Sequence, residues 1–587
     1  MNRFSQRHRR ASSGASTGAS TCETASPRCG RLDQGSKRPS EIGILHSRGN
    51  RRHERKTDHR DGFVLLVVTI VVALLTLAAY TFTGTMQVEQ EATVMHGRDV
   101  QARLMAESAV EYTAIRIAEK QKDSTVNLFH DPDLFRGQQL DEAPVPRGQV
   151  RFSVVTPNNS DESTGAPRFG LSTENARFHL NRLPEFEQDD DDTTDAVLAL
   201  SQIPGMTESI ANSILDWIDS DSERRPGGAE SADYQAMGLP YEALNAPMKS
   251  IEELLQIQGV TPELFYGEDA NMNGILDPNE DDGEASRPSD NGDGVLDRGW
   301  RSLFTVSARE NNLQPDGSAR INLNQGLMTE LFDAVEAEFD EPTAQFVVAW
   351  RLFGSTNAVS ATQQSLSVTE KDAATAVGKA VAGGIEGSVT RGGMDLTQVA
   401  AWSYRSVYDL IDATVDAKIN GSMTTLSSPW TSDPASLMEK MPLLEQAMSC
   451  TEDSQILGRI NINEAPVTVL MAIPGMTESI ADAIIAARPA VEDGSDSTSV
   501  METRNSPSWL LAEGIVDVET LRMIGPWLTC GGDVYYFQAI GHFDEGGPNT
   551  RLEATIDGTQ SPPRILFQRD LTSLGRGFHP AVLNVSP

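Results

Sequence analysis

Residues 63–82 read FVLLVVTIVVALLTLAAYTF, twenty positions without a charge, a proline or a glycine. A helix of that length covers about 30 Å, the hydrocarbon thickness of a bilayer. In lipid every backbone N–H and C=O must be satisfied within the segment, so this stretch has to be helical. The preceding RRHERKTDHRDG is a basic flank, which the positive-inside rule assigns to the cytoplasmic side. The bulk of the chain is therefore expected outside the cytoplasm. The leader, 1–62, is rich in Ser, Gly and Arg and reads as disordered.

A secretory signal would end in a small-residue cleavage site after the apolar run, and no convincing one follows. The pattern instead continues, free of proline, to about residue 122. Leu104, Met105, Ala109, Tyr112 and Ile115 stand at helical spacing. One helix of more than fifty residues is predicted, starting in the membrane and emerging from it. A plain signal anchor is the simpler alternative.

Charge narrows the partners. The chain carries 48 Lys and Arg against 84 Asp and Glu, a net −36, and the basic residues crowd into the leader. Such a body repels nucleic-acid backbones, whose affinity for proteins comes mostly from Lys and Arg contacts. It suits divalent cations, or solubility alone.

The nonapeptide IPGMTESIA occurs twice, at 203–211 and 473–481. Pro-Gly followed by Thr-Glu is a turn running into a helix N-cap, and apolar residues at 210, 214 and 215, and at 480, 484 and 485, keep helical spacing afterwards. Two short helices around such a turn make a helix-hairpin-helix, often a grip for nucleic acid. That grip uses a second glycine and a basic residue, where this chain has Thr207 or Thr477 and then Glu208 or Glu478. The reading is scaffolding, with no nucleic acid. Three related segments, RFHLNRL (177–183), RINLNQG (320–326) and RININ (459–463), the last two with Asn-x-Asn and the first with His-x-Asn, each precede a helical stretch.

The clearest chemical motif is DANMNGILDPNE at 269–280. It sets Asp269, Asn271, Asn273, Ile275, Asp277 and Glu280 at loop positions 1, 3, 5, 7, 9 and 12, with Gly274 at 6. This is the EF-hand ligand pattern, with a backbone carbonyl expected from Ile275 and two oxygens from Glu280. Oxygen donors without His or Cys select a hard cation, so calcium is the expected cofactor. A charged linker is the alternative. A second candidate follows, with Asn291, Asp293 and Asp297 around Gly294 but Ser289 and Trp300 at the ends. Asp216, Asp219, Asp221 and Glu230 form a third acidic group, for which helix capping is the competing account. Cys450 and Cys530 could form one disulfide in an exported protein, or remain two buried thiols. No catalytic constellation stands out, so an enzyme is not expected.

Gly62 followed by Phe63 at the head of this helix resembles the cleavage site of type IV pilins and type II secretion pseudopilins. In those families a prepilin peptidase cuts after the glycine and methylates the new N-terminal residue. They usually carry Glu at the fifth mature position, where this chain has Val67. An unpaired carboxylate in lipid is costly, and its omission marks the minor pseudopilin K family, whose members sit at the filament tip. The stretch 216–265 resembles the same family. Asp-Trp-x-Asp-x-Asp, Gly-Ala-Glu, Tyr, Pro-Tyr, an Asn and Gly-Val-Thr all stand in it.

The resemblance implies an α+β fold, a pilin-like long N-terminal helix on an antiparallel sheet, with a large inserted helical domain. The boundaries expected are a leader 1–62, a helix 63–122, early strands 123–180 including ARFHL, an inserted domain 181–530 and late strands 531–587. A flexible insertion is expected over about 335–455. It further implies calcium in the helical domain and a single-pass protein of the inner membrane with its bulk in the periplasm. Implied partners are other minor pseudopilins, the major pseudopilin filament and the prepilin peptidase. The function implied is capping the pseudopilus tip and assisting export of folded proteins. The rival is a membrane-anchored DNA-binding protein for DNA uptake.

Overall fold

The computed structural model describes residues 61–122, 126–140, 148–157, 167–186, 195–356, 390–398, 400–488 and 504–583. The leader up to residue 60 lies outside them. Helix α1 runs Asp61–Lys120, 60 residues. The chain divides into two units, one ending at Thr83 and the other starting at Gly84. In the first, the side chains from Phe63 onward are exposed, and the helix is long and apolar enough to cross a membrane. Its few hydroxyls are satisfied locally: Thr69 donates to the Leu65 carbonyl at 2.8 Å and Thr76 to that of Val72 at 2.6 Å. That is how polar side chains are tolerated where no water is available.

In the second unit the rest of α1 lies on an antiparallel sheet. Six strands are β1 Val150–Thr156, β2 Arg168–Phe169, β3 Ser172–Thr173, β4 Val534–Phe543, β5 Thr550–Asp557 and β6 Arg564–Asp570. Their order is β6-β5-β4-β1-β2, with β3 also on β4. Early and late chain meet in the register Val150↔Phe543 to Val155↔Gln538. Ala106, Ala109, Val110 and Ile117 of α1 share a core with Phe152, Val154, Phe537 and Ile540. Small residues let the backbones close in: a Cβ on Gly541 would lie 1.9 Å from the Ala102 carbonyl oxygen. Arg98 caps the contact, its guanidinium 4.1 Å from the Phe543 ring centre.

Between the early and late strands the chain builds three similar modules, begun by the segments RFHLN, RINLN and RININ. Each opens with a two-residue strand and closes with another that pairs parallel to it. The pairs are Phe178–His179 with Phe304–Thr305, Ile321–Asn322 with Met448–Ser449, and Ile460–Asn461 with Leu528–Thr529. The final Asn of each segment reaches across its module. Asn181 bonds Met248, Asn324 bonds Tyr404 and Cys450, and Asn463 bonds Arg504 and Cys530, all through backbone groups at 2.8–3.2 Å. The preceding Asn322 and Asn461 accept from the amides two residues on, the local turn chemistry of asparagine.

Both IPGMTESIA copies turn between two helices: Asp195–Ser201 and Glu208–Ile218 in the first module, Val467–Met471 and Glu478–Ala487 in the third. Thr207 and Thr477 cap the second helix of each pair, accepting from the Ile210 and Ile480 amides. In the first module the Trp300 indole donates to the Pro204 carbonyl at 2.7 Å. The turn is thus closed by the protein's own core.

Two expectations need correction. ARFHL does not join the main sheet; Phe178 and His179 pair with Phe304 and Thr305 instead, because the leucine and asparagine after them belong to the first module. The stretch 335–455, where a flexible insertion is expected, forms regular structure in its described residues. Helices Glu341–Phe353 and Pro434–Ala447 and the hairpin of Thr414–Ile419 with Ser422–Ser427 make it the middle module. Trp350, Tyr404, Leu410 and Leu437 pack into the shared helical core. Most of the glycine-rich AVGKAVAGGIEGSVTRGG lies outside the described residues, and its end, Thr390–Arg391, pairs with Met394–Asp395.

Candidate cation sites

The loop 269–280 closes on itself through backbone amides. Asp269 accepts from the Asn273 and Gly274 amides at 3.1 and 2.8 Å, and Glu280 from those of Ala270 and Asp277 at 2.9 and 3.0 Å. Gly274 supplies the sharp turn with φ +70°, and a Cβ there would meet Pro157 at 2.6 Å. Asp277 accepts from the side-chain amides of Asn271 and Asn273. The Asn273 oxygen accepts from the Ile275 amide at 2.6 Å. Ile275 leans against the core beneath the sheet.

Glu280 and Asn273 are each 1% exposed and Asp269 8%. Burial pushes the carboxyls of Asp269 and Glu280 above their usual range. The charges of Arg298 and Arg551 oppose the rise at Asp269, yet burial still outweighs them, and burying carboxylates is costly unless they are paired. The Asn271 side-chain oxygen is also buried and has no hydrogen-bond partner. Three carboxylates and an orphaned carbonyl in one small loop are a donor set that fits a hard cation. Sequence reasoning missed the support beneath it. Arg551 of β5, wholly buried, donates to the Asn271 and Met272 carbonyls at 3.0 and 3.1 Å. Gln538 of β4 also donates to the Met272 carbonyl. Nothing in the linear pattern links position 551 to position 271.

The second candidate is exposed and loose. Asn291 donates to Asp293 at 2.9 Å, Asp293 accepts from the Val295 amide, and Asp297 accepts from Gly299. Glu268, just before the first loop, is buried, and its carboxylate takes the Asp297 amide at 3.2 Å. It ties the two loops together, and burial raises its carboxyl.

The third group converges best. Among the described residues, Asp219, Asp221 and Glu230 bring one carboxylate oxygen each within 4.8 Å of the others. Glu230 is 4% exposed; one of its oxygens and one of Asp219 are buried without a partner. Burial lifts the Glu230 carboxyl, and nearby Asp216 and Asp219 add to the rise. Arg225 bridges Asp216 and Asp219: its guanidinium pairs with both, at 3.1 Å to Asp216, and its amide donates to Asp216. Asn245 adds a donor that sequence reasoning did not assign. It sits at φ +45°, its amide holds the Asp221 carbonyl, and its side-chain oxygen is buried without a partner. The capping account also has support, since Glu230 caps the helix Ser231–Ala236 with Asp233 as its reciprocal partner.

Cys450 and Cys530 are free thiols, not a disulfide. They follow the closing strands of the second and third modules, and burial raises both thiols. Gly62 and Phe63 lie at the head of α1, and Val67 is exposed on it.

Residues 176–266 match the family model described as Type II secretion system (T2SS), protein K. The type II secretion system protein K of Pectobacterium carotovorum subsp. carotovorum is 36% identical over 58 residues. That match covers 10% of this chain and only 18% of the curated relative's length. A chain from the crystal structure of the GspK-GspI-GspJ complex of the enterotoxigenic Escherichia coli Type 2 Secretion System is 11% identical. The alignment covers 80% of this chain and 98% of that one, with a TM-score of 0.30, too loose to carry an argument. The resemblance to protein K of the type II secretion system therefore holds over residues 176–266. That region contains the first hairpin and the group around Glu230.

Proposed function

We propose that this chain is a minor pseudopilin of a type II protein secretion system, anchored by α1 in the inner membrane with its body in the periplasm. The observation that carries the reading is the protein K match at 176–266, in a chain whose head is one long apolar helix. Its role is to cap the pseudopilus tip and assist export of folded proteins, acting by assembly and not by catalysis. Its partners are the other minor pseudopilins, the major pseudopilin below them and the prepilin peptidase that cuts after Gly62 and methylates Phe63. Val67 in place of a glutamate supports the tip position, because the subunit there has no neighbour above to neutralise a carboxylate.

Calcium serves stability. Asp269, Asn271, Asn273, Asp277 and Glu280, with the Ile275 carbonyl, hold one ion, and Asp219, Asp221, Glu230 and Asn245 hold another. Asn291, Asp293 and Asp297, being exposed, contribute at most a weak third site.

The decisive experiment is N-terminal sequencing of the protein from a strain with an intact secretion system. The mature chain should begin at methylated Phe63, and replacing Gly62 by a bulky residue should leave the leader uncut. Cleavage beyond residue 82, or an intact leader on the wild type, would sink the assignment.

A further inference from the structure

The segment after β6 makes one turn at Thr572–Leu574 and one short helix at Pro580–Leu583, and pairs with no strand. Bonds to other elements hold much of it in place, and two of these come from the neighbourhood of the cation loop. Asn273 donates to the Gly577 carbonyl at 2.8 Å. Arg551 donates to the Gly575 carbonyl at 3.4 Å, while the same guanidinium holds the carbonyls of Asn271 and Met272. Its other contacts fix it in place: it donates to the Gln538 side-chain oxygen at 2.9 Å and lies 5.4 Å from the Phe578 ring centre. Phe578 and Leu583 are buried in the core under the sheet, and Ser153 donates to the Leu583 carbonyl at 3.3 Å.

The loop's ligand set and the tail's anchors are therefore shared. Asn273 offers its oxygen to the cation and its amide to the tail. Arg551, which is not a ligand, grips loop and tail with one rigid fork, a geometry lysine does not reproduce. Whatever narrows the loop to one conformation fixes the groups that hold the tail, and by linkage the tail stabilises the ion-binding loop in return.

We infer that loop 269–280 is a cation-dependent latch on the C-terminal segment 575–583, with Arg551 as the positioning residue that couples them. This rests on the reading of the loop as a calcium site. With the cation bound, the tail seats Phe578 and Leu583 in the core under the sheet; without it, the tail opens, exposing these side chains and the apolar part of the core they cover.

Hydrogen exchange of the full chain in detergent, with excess calcium chloride or with a chelator, tests this. Calcium should slow exchange in 269–280 and in 575–583 together, by roughly fivefold or more in the tail, as expected for coupled sites. Calcium that binds and slows the loop while leaving the tail unchanged overturns the latch and leaves the cation reading standing. A loop that takes up no calcium overturns both. In R551M the loop should still respond, with weaker affinity, and the tail should not; a tail that follows the loop as in wild type removes Arg551 from the coupling. R551K, which keeps the buried charge without the fork, should behave like R551M. N273D supplies a second route. It gains a charged ligand oxygen and loses the donor to Gly577, so the loop should bind calcium more tightly while the tail loosens. A tail that tightens with the loop in N273D contradicts the shared-anchor mechanism.

Discussion

Glu280 closes the 269–280 loop. It is 1% exposed and accepts two backbone amides, at 2.9 and 3.0 Å, from opposite ends of its loop. In the proposed site it supplies two oxygens and one of three carboxylates, so E280A should abolish most of the stabilisation by calcium. A ligand that binds only the folded state adds about 2.7 kcal/mol at a hundredfold excess over Kd. Melting curves with calcium and with chelator read this directly, and a wild-type protein indifferent to both would reduce the loop to a charged connector. Asp533 gives a pH prediction. Burial pushes its carboxyl up to about 6, although the Asn311 amide and Lys120 oppose the rise. The folded state then holds a proton that the unfolded state has released between about pH 4 and 6, so this group favours folding as pH falls. His179 and His542 act oppositely: burial lowers both to about 4, and the unfolded chain gains protons first on acidification. D533N should therefore lose more stability than wild type between pH 7 and 5, by on the order of 1 kcal/mol. Denaturant midpoints at the two pH values measure the difference. The 269–280 pattern was legible in the sequence because its spacing is local; the neighbouring Asn245, Glu268 and Arg551 were not, because only folding brings them near.

At the scale of elements, α1 was legible over nearly its full length, since an uncharged run and unbroken helical spacing leave the backbone one option. Which of its faces meets the sheet is set by a partner some 440 positions later in the chain. Gly541 permits an approach at which any Cβ would strike the Ala102 carbonyl. G541V should destabilise the protein by about 1–3 kcal/mol, as overpacking a close interface does. The loss should centre on residues 98–117, seen as faster hydrogen exchange there than in the helical modules. Equal exchange throughout would mean that the helix–sheet contact is not the weak point. The turn of each IPGMTESIA copy was readable, with Thr207 and Thr477 as caps, because capping is a short-range hydrogen bond. The threefold modular plan was only half visible. The related segments RFHLN, RINLN and RININ marked where modules begin, but the closing strands are two residues long and carry no pattern of their own. They became recognisable when each paired in parallel with its opening strand.

For the whole molecule, the tip position makes the sharpest demand. V67E would place a carboxylate in the membrane helix of a subunit proposed to have no neighbour above it. Secretion should fall well below wild type while the protein still accumulates in the membrane, measured by exoprotein activity in the medium against cell-bound activity. Normal secretion by V67E, with the variant found along the filament shaft, would refute the capping argument. The sequence by itself determined the long apolar helix, the turns and caps, the spacing of oxygen-bearing side chains in the first loop and the acidic character of the body. Each depends on residues within one or two turns of one another, where propensity and periodicity act directly. Tertiary structure alone decided that the described part of the stretch expected to be a flexible insertion forms the middle module, that ARFHL pairs inside the first module, and that the cysteines are free thiols. It also placed a buried arginine from a late strand beneath the cation loop. These outcomes turn on burial and pairing between segments hundreds of residues apart, and no local pattern encodes which distant surface will cover a side chain.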